Sequence, residues 1–257
     1  TLERMGGYRV DQEARDKLIL IPQYGGTVGG FRREILRKIG GWNENMLAED
    51  TDLTIRCMLN GYQVRYVSDA ECYEEAVATW KGYWNQRYRW AKGHMQCAFR
   101  HLRNILRTKH LSLFEKIELT LLLCIYFVPV LILIGWIAGI GAYLMNARNM
   151  IPFSVLVLST FTYSTVGNFA PFFEIGMGAY LDNRRRILWI LPILMLPFFI
   201  MVFCCTKALV DLLLSQDGNH DWNHTLHNGN GYNGICNNQD KKDSLAPLQV
   251  NNGEKTK

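Results

Sequence analysis

The pattern of apolar residues divides the chain into two halves with different characters. In the second half, nearly continuous apolar runs cover residues 117–145 and 187–214, and a third run over 151–181 is interrupted by polar residues and a proline. An apolar run of about 20 residues is long enough to cross about 30 Å of hydrocarbon as a helix. The pattern predicts an all-α transmembrane region over 113–215 with about three spans. For the middle run, a broken or re-entrant segment that faces protein is the alternative.

The first half alternates short apolar runs with patterns that place apolar residues on one helical face. The short runs predict two buried strands, at Lys17–Pro22 and Tyr62–Asp69. The helical patterns predict three helices, over 31–39, 47–61 and 79–102. Because strand and helix alternate, we expect residues 1–112 to form an α/β sandwich attached to the membrane region.

Basic residues beside the apolar runs predict which side of the membrane each loop occupies. Arg103 and Arg107 belong to a basic cluster before the first run, and residues 184–186 are three consecutive arginines before the last run. Since cytoplasmic loops carry an excess of Lys and Arg, the N-terminal domain and the arginine loop are expected in the cytosol. Residues 216–257 are rich in Asn, Gly and charge, which predicts a disordered polar tail.

Composition and cysteine usage exclude several classes of function. The net charge of +5 over 257 residues is small and the basic clusters are short, so nothing indicates nucleic-acid binding. The seven cysteines show no C-x-x-C pair and no ligand-like spacing with histidine. This argues against a zinc site or a disulfide framework and fits a reducing cytosol. The chain begins at Thr1 rather than at a methionine, so we expect it to be part of a longer protein.

Acidic residues crowd the start of the helix predicted over 47–61, where Glu49 and Asp50 are adjacent and Asp52 follows. Carboxylates in this position often cap free backbone N–H groups and complement the helix dipole. The alternative is a general base, because a carboxylate fixed at the edge of a sheet can take the proton from an attacking hydroxyl. The motif alone favours capping.

The helix predicted over 79–102 has two different faces. Its polar face carries four residues with i, i+3, i+4, i+7 spacing: Gln86, Arg89, Trp90 and Gly93. The opposite face, which we expect to pack, carries Trp80, Trp84, Tyr88, Ala91 and Met95. An arginine offers a planar fork for a pyrophosphate, and a tryptophan offers a flat platform for a sugar ring. An interfacial belt that meets lipid headgroups is the alternative, and the pattern leaves both open.

Taken together, the stretches "GGFRREILRKIGGWNENMLAEDTDLTIRCMLNGYQVRYV" and "QRYRWAKG" resemble membrane-embedded family 2 glycosyltransferases. The resemblance is to the C-terminal part of processive members such as cellulose, chitin, hyaluronan and poly-N-acetylglucosamine synthases. It covers about Gly25 to Gln96 and includes a whole Q-x-x-R-W motif, with the E-D motif at Glu49-Asp50 upstream. Both motifs in this order, followed by apolar spans, make a specific signal.

The resemblance implies an inverting enzyme with a GT-A (Rossmann-like) domain, of which this chain holds a part. Asp50 is then the general base for the acceptor hydroxyl, with Glu49 beside it in the catalytic motif. Gln86 and Arg89 are expected to hold the pyrophosphate of a nucleotide-sugar donor, usually UDP-linked. Trp90 is expected to stack on the acceptor, a growing polysaccharide. The protein is thus expected to lie in the lipid bilayer with its catalytic part in the cytosol.

The resemblance also implies a divalent cation, Mg²⁺ or Mn²⁺, bound by a D-x-D motif upstream of the residues present here. Asp50-Thr51-Asp52 has these letters, but it lies in the base motif, so we assign no metal ligand in this chain. We therefore expect the chain alone to be inactive. Two alternatives remain: a transferase that adds one sugar to a lipid acceptor, and a non-catalytic membrane protein.

Overall fold

The computed structural model describes residues 6–18, 20–68, 70, 76–145, 171–181, 183 and 185–214. A π-helical turn over Gly6–Gln12 leads into the first helix. The helices in chain order are α1 (Glu13–Lys17), α2 (Arg33–Lys38), α3 (Glu49–Leu59), α4 (Trp80–Arg107), α5 (Leu113–Cys124), α6 (Val128–Leu144), α7 (171–181) and α8 (Met195–Leu214). Two 3-10 segments, Ile125–Phe127 and Arg185–Leu194, directly precede α6 and α8.

The three helices predicted in the first half are present as α2, α3 and α4. Gly40 and Gly41 follow α2 with φ angles of 85° and 71°, and Gly61 follows α3 with a φ of 79°. Glycine adopts this left-handed conformation without a steric penalty, so these residues end their helices. At the start of α4, the Thr79 hydroxyl accepts a hydrogen bond from the Gly82 N–H at 3.1 Å. The helix then continues past its predicted end at residue 102 to Arg107.

The two predicted strands are not formed in the described residues, and the α/β architecture is therefore not confirmed there. Helix α1 extends to Lys17, and the Leu20 N–H donates to the Arg15 carbonyl at 2.7 Å. In the second predicted strand, the Tyr66 N–H donates to the Asp16 side chain at 3.1 Å. A strand needs a neighbouring strand for its backbone groups. Here the two backbone N–H groups donate to a helix carbonyl and to an aspartate side chain instead of to a neighbouring strand.

Helix α4 is the central element, because it packs on two hydrophobic cores. The first core joins α3, α4, α5 and the segment before α2; its buried members are Ile21, Met46, Ala48, Ile55, Met58, Cys97, Ala98, Ile105, Leu111, Leu119 and Leu123. The second core joins α4 to α6 and α8 through Ala91, Met95, Val130, Cys205 and Ala208. Burial of a large apolar side chain stabilises a fold by about 1.5–3 kcal/mol. Contacts on two sides therefore fix the orientation of α4.

Two helical stretches, Leu113–Leu144 and Leu188–Leu214, are long and apolar enough to cross a membrane by length and composition. They coincide with the first and last predicted spans. The middle predicted span, 151–181, is described only from residue 171, where α7 is helical, and the predicted tail 216–257 lies outside the described residues. The number of spans and their orientation stay predictions.

Candidate active site

The site lies where α4 crosses the N-terminus of α3. Gly93 of α4 makes this crossing possible: a Cβ atom there would be 2.7 Å from the backbone nitrogen of Ala48, the residue before α3. The side chain of Gln96 clamps the same segment, since its Oε1 accepts from the Leu47 N–H at 3.2 Å and its Nε2 donates to the Asn45 carbonyl at 3.0 Å. The polar face of α4 is therefore held against the E-D motif.

Asp50 is the residue at the centre of this crossing. Its Oδ1 accepts hydrogen bonds from the Thr51 N–H at 2.7 Å and from the Thr51 hydroxyl at 3.3 Å. Its Oδ2 faces the glycine-rich loop, because a Cβ atom on Gly26 would be 3.1 Å from that oxygen. The bond to the Thr51 N–H shows that Asp50 also satisfies one free N–H group of the helix terminus. Capping and a catalytic role are therefore compatible in this carboxylate.

The two carboxylates of the E-D motif have perturbed acidities. Burial raises the pKa of Asp50 above its ordinary value, while the hydrogen bonds from Thr51 and the positive charge of Arg89 act in the opposite direction. Burial likewise raises the pKa of Glu49, the charge of Asp50 adds to this, and Arg89 opposes it. A desolvated carboxylate with a raised pKa is a stronger proton acceptor than an ordinary aspartate.

The structure brings only part of the predicted polar face to the carboxylates. Arg89 interacts electrostatically with both Glu49 and Asp50. Trp90 lies one position further along, with the Arg87 guanidinium 4.5 Å from its ring centroid. Gln86 is half-buried one turn earlier, and no hydrogen bond joins it to either carboxylate in the described structure. Arg89 is thus a residue of the Q-x-x-R-W motif whose charge acts on both carboxylates of the E-D motif.

The opposite face of α4 packs as predicted except at its beginning. Ala91 and Met95 are fully buried, and Tyr88 is half-buried in the second core. Trp80 is instead 63% exposed, so its predicted packing role is wrong. Trp80 is the first residue of α4, directly after the Thr79 cap, and its ring makes an edge contact with Tyr83 of the same helix at a centroid distance of 6.2 Å. The hydrogen bond from the Cys204 thiol of α8 to the Trp84 carbonyl lies one turn further along.

A histidine that the sequence analysis missed, His94, joins the two motifs. Its Nδ1 lies 2.9 Å from the Trp90 carbonyl, and its Nε2 lies 3.0 Å from Gln23 Nε2 and 3.2 Å from the Thr51 hydroxyl. Its ring stacks on Tyr126 at a centroid distance of 4.5 Å. Burial lowers the pKa of His94 to about 4, so the imidazole is neutral at physiological pH. Its position four residues after Trp90 was the one available signal in the sequence.

Asp52, in contrast to Asp50, has a structural environment. Its fully buried carboxylate binds Arg56 Nε at 2.7 Å and His101 Nε2 at 2.6 Å. Arg56 also donates to the carbonyls of Ile39 and Gly41, each at 2.6 Å. Burial alone would raise the pKa of Asp52, but the hydrogen bonds from His101 and Arg56 outweigh it and hold the pKa below its ordinary value. Asp52 thus ties α3 to α4 and to the end of α2.

The same contacts bear on the divalent cation that the motifs imply. Both oxygens of Asp52 are occupied by Arg56 and His101, so Asp50-Thr51-Asp52 does not present a pair of carboxylates to a cation. Within the described part of the chain, no group of three or more His, Cys, Asp or Glu side chains is placed to hold a metal ion. The described residues do not fit a metal site.

The E-D and Q-x-x-R-W motifs, followed by long apolar helices, predict a sugar transferase. Comparison with known proteins supports this class. The model of the protein family described as "Glycosyl transferase family group 2" matches residues 2–202. The chain belongs to this family, and membership implies a GT-A fold for the domain.

Several curated proteins are similar to the chain over part of their length. "Probable glycosyltransferase YdaM" of Bacillus subtilis (strain 168) is 40% identical over 98 residues, 38% of this chain and 23% of the relative. "Probable glucomannan 4-beta-mannosyltransferase 6" of Oryza sativa subsp. japonica is 34% identical over 113 residues, 44% of this chain and 20% of the relative. "Probable glucomannan 4-beta-mannosyltransferase 3" of the same organism is 29% identical over 226 residues, 88% of this chain and 39% of the relative.

The chain therefore spans about a fifth to two fifths of the length of these curated relatives. No solved structure matches it. These relatives confirm the glycosyltransferase family. The cellulose-, chitin- or hyaluronan-synthase type named from the motifs is not confirmed and stays a prediction.

Proposed function

We propose that the protein transfers a sugar from a nucleotide-sugar donor, with UDP as the expected nucleotide, to the hydroxyl of a growing glycan, with inversion at the anomeric carbon. The observation that carries this proposal is the environment of Asp50, whose partly desolvated carboxylate has one oxygen engaged by Thr51 and the other facing the glycine-rich loop. A carboxylate with one free oxygen beside an arginine suits a general base next to a diphosphate.

The chemical step follows from these positions. Oδ2 of Asp50 takes the proton from the acceptor hydroxyl while that oxygen attacks the anomeric carbon. The bond from this carbon to the donor diphosphate breaks, and the nucleoside diphosphate leaves with the bonding electron pair. Arg89 lies close enough to act on both carboxylates, and its charge can stabilise the departing diphosphate. Trp90 supplies the surface on which the acceptor sugar stacks.

The names of the rice relatives suggest which sugars to test first. They are described as glucomannan 4-beta-mannosyltransferases, so mannosyl transfer to a β-linked polysaccharide is a specific candidate. Repeated transfer to a polymer is our first proposal. Transfer of one sugar to a lipid acceptor is the second, since the apolar helices favour an acceptor at the membrane.

Membrane embedding is part of the proposal. The most apolar windows of Leu113–Leu144 and Leu188–Leu214 are only 22% and 19% buried, whereas the core helix of a soluble protein is mostly buried. Exposed apolar side chains lie along both stretches, as Leu121, Ile137 and Phe203 illustrate. Lipid is the environment that suits such a surface. The positively charged flanks favour a cytosolic position for Asp50.

The test is turnover of the Asp50→Asn variant in the full-length protein in its membranes. Release of nucleoside diphosphate is measured with a panel of UDP- and GDP-linked hexoses. General base catalysis is worth about 10²- to 10⁴-fold in rate, so we expect at least a hundred-fold loss. Glu44→Gln, an exposed carboxylate in the loop before α3, is the matched control and keeps full turnover. Equal turnover in wild type and Asp50→Asn contradicts the proposal and favours a non-catalytic membrane protein.

A further inference from the structure

His94 is half-buried where α4 crosses the start of α3, and its contacts run toward Asp50 through Gln23 and Thr51. It is the residue of α4 that contacts Thr51, and Thr51 is the residue that holds the Asp50 carboxylate. We propose that His94 is a positioning residue, which fixes the Asp50 carboxylate through Gln23 and Thr51. This inference rests on the proposed function, because it needs Asp50 as the base.

The first step is the tautomer of His94. The Trp90 carbonyl can only accept a hydrogen bond, so the proton of the neutral imidazole lies on Nδ1. Nε2 then carries a lone pair and accepts. Because Trp90 belongs to the same helical turn, the tautomer is set by the backbone of α4 itself.

The second step is the orientation of the Gln23 amide. An accepting Nε2 on His94 requires a donor opposite it, so the amide presents its NH₂ group at 3.0 Å. The second proton of this NH₂ group donates to the Thr51 hydroxyl oxygen at 2.5 Å. A flipped amide would set its oxygen against the lone pair of Nε2. The backbone of Gln23 is itself held by Gln12, whose Oε1 accepts from the Gln23 N–H at 2.7 Å.

The third step is the direction of the Thr51 hydroxyl. Its oxygen accepts from Gln23, and the Nε2 lone pair of His94 is already engaged by the same amide. The hydroxyl proton therefore points to Asp50 Oδ1, which also accepts from the Thr51 N–H. With both bonds on Oδ1, the other carboxylate oxygen is the one left for the substrate proton.

Two substitutions of His94 separate this role from simple packing. His94→Gln can place an amide oxygen near the position of Nε2 and keep an acceptor for Gln23. His94→Asn reaches only the position of Nδ1 and loses that acceptor. At Thr51 the matched pair is Thr51→Val, which removes the hydroxyl, and Thr51→Ser, which keeps it. His110→Asn, at an exposed histidine outside the site, is the control that leaves turnover unchanged.

We expect His94→Asn and Thr51→Val each to lower kcat about ten-fold with little change in KM, since one hydrogen bond to a charged group is lost. His94→Gln and Thr51→Ser retain most of the activity. The double variant His94→Asn/Thr51→Val is no worse than either single variant, because both remove the same contact to Asp50.

The pH profile of kcat/KM gives a readout that packing does not move. Hydrogen bonds to the carboxylate favour its charged form, so their loss raises the pKa of Asp50 and moves the acidic limb of the profile to higher pH. The other titratable groups that act electrostatically with Asp50 are Glu49, Tyr24, Arg89 and Cys97, and the variants leave all four in place.

The outcomes are distinct. If Asp50→Asn is inactive while His94→Asn has the kcat and acidic limb of wild type, the inference is overturned and the proposed function stands. If Asp50→Asn is as active as wild type, the proposed function fails and the inference fails with it. Should His94→Asn not fold, His94→Phe replaces it, because a phenyl ring keeps the stacking on Tyr126 and lacks both nitrogens. Additive effects in the double variant also overturn the inference.

Discussion

The contact between α4 and the start of α3 can be tested with one methyl group. A Cβ atom on Gly93 would lie 2.7 Å from the Ala48 backbone nitrogen and 2.8 Å from the Ala48 Cβ, whereas ordinary contact begins at 3.4 Å. In Gly93→Ala, the two segments must therefore separate by about 0.7 Å. Overpacking of this kind costs about 1–3 kcal/mol, and the better helix propensity of alanine returns about 1 kcal/mol. We expect a net destabilisation of about 0–2 kcal/mol.

The effect of Gly93→Ala on turnover should be larger than its effect on stability. Arg89 and His94 lie on either side of Gly93 on the same helix, so the separation moves both away from Asp50. A misplacement of about 1 Å can cost about a hundred-fold in rate. We expect a fall in kcat of ten-fold or more, measured as nucleoside diphosphate release beside a thermal unfolding curve.

The matched control is Gly135→Ala, because a Cβ atom on this glycine of α6 would have nothing within 4 Å. It makes the same chemical change in a helix without narrowing any contact. We expect it to keep both turnover and the unfolding temperature. Equal turnover in Gly93→Ala and Gly135→Ala would refute the argument that this crossing positions the site.

Asp52→Asn should destabilise the fold by about 3–5 kcal/mol, because it leaves Arg56 and His101 without their anionic partner in a buried site. Thermal unfolding measures this, and an unchanged midpoint would contradict it. The pKa of Asp52 is lower in the folded than in the unfolded protein, so the ionised carboxylate stabilises the fold above the unfolded pKa, and this stabilisation is lost as pH falls through the folded pKa. We therefore expect wild type to lose this stabilisation only at acidic pH, and Asp52→Asn to show no such loss. Gly26→Ala forces a φ of 81° on a residue with a side chain, at about 1–2 kcal/mol, and crowds the free oxygen of Asp50. We expect reduced turnover in Gly26→Ala; full activity would show that Asp50 Oδ2 does not meet substrate beside the glycine-rich loop.

The sequence was sufficient to predict features that follow from periodicity. Helical spacing predicted that Ala91 and Met95 would pack, and both are fully buried. The roles of Asp50 and Arg89 stay predictions, although the charge of Arg89 acts on Asp50. The packing role predicted for Trp80 was wrong, because periodicity assigns a residue to a helical face and gives no information on how far along the helix that face is covered.

Other features could not be predicted, because they depend on contacts between distant segments. An apolar run as short as Lys17–Pro22 reads equally as a strand or as a buried irregular segment, and only its partners decide between them. Ile21 is buried as expected, but among helices. Helical spacing places His94 one turn after Trp90 but does not reveal its role, since that role comes from Gln23 and Thr51, which lie 71 and 43 positions away in the sequence.

Helix α4, which carries many cations and aromatic residues, is held on two sides. Its apolar side is occupied by two cores, and Tyr88 adds a hydrogen bond at 2.5 Å to Asp211 of α8, which also binds Lys207. Because α4 is fixed to α8 on that side and to α3 through Gly93 on the other, a shift of α8 must either break the Tyr88 contact or move the crossing. The position of Asp50, the proposed base, is therefore linked to the apolar helices, which a residue on a surface loop would not be.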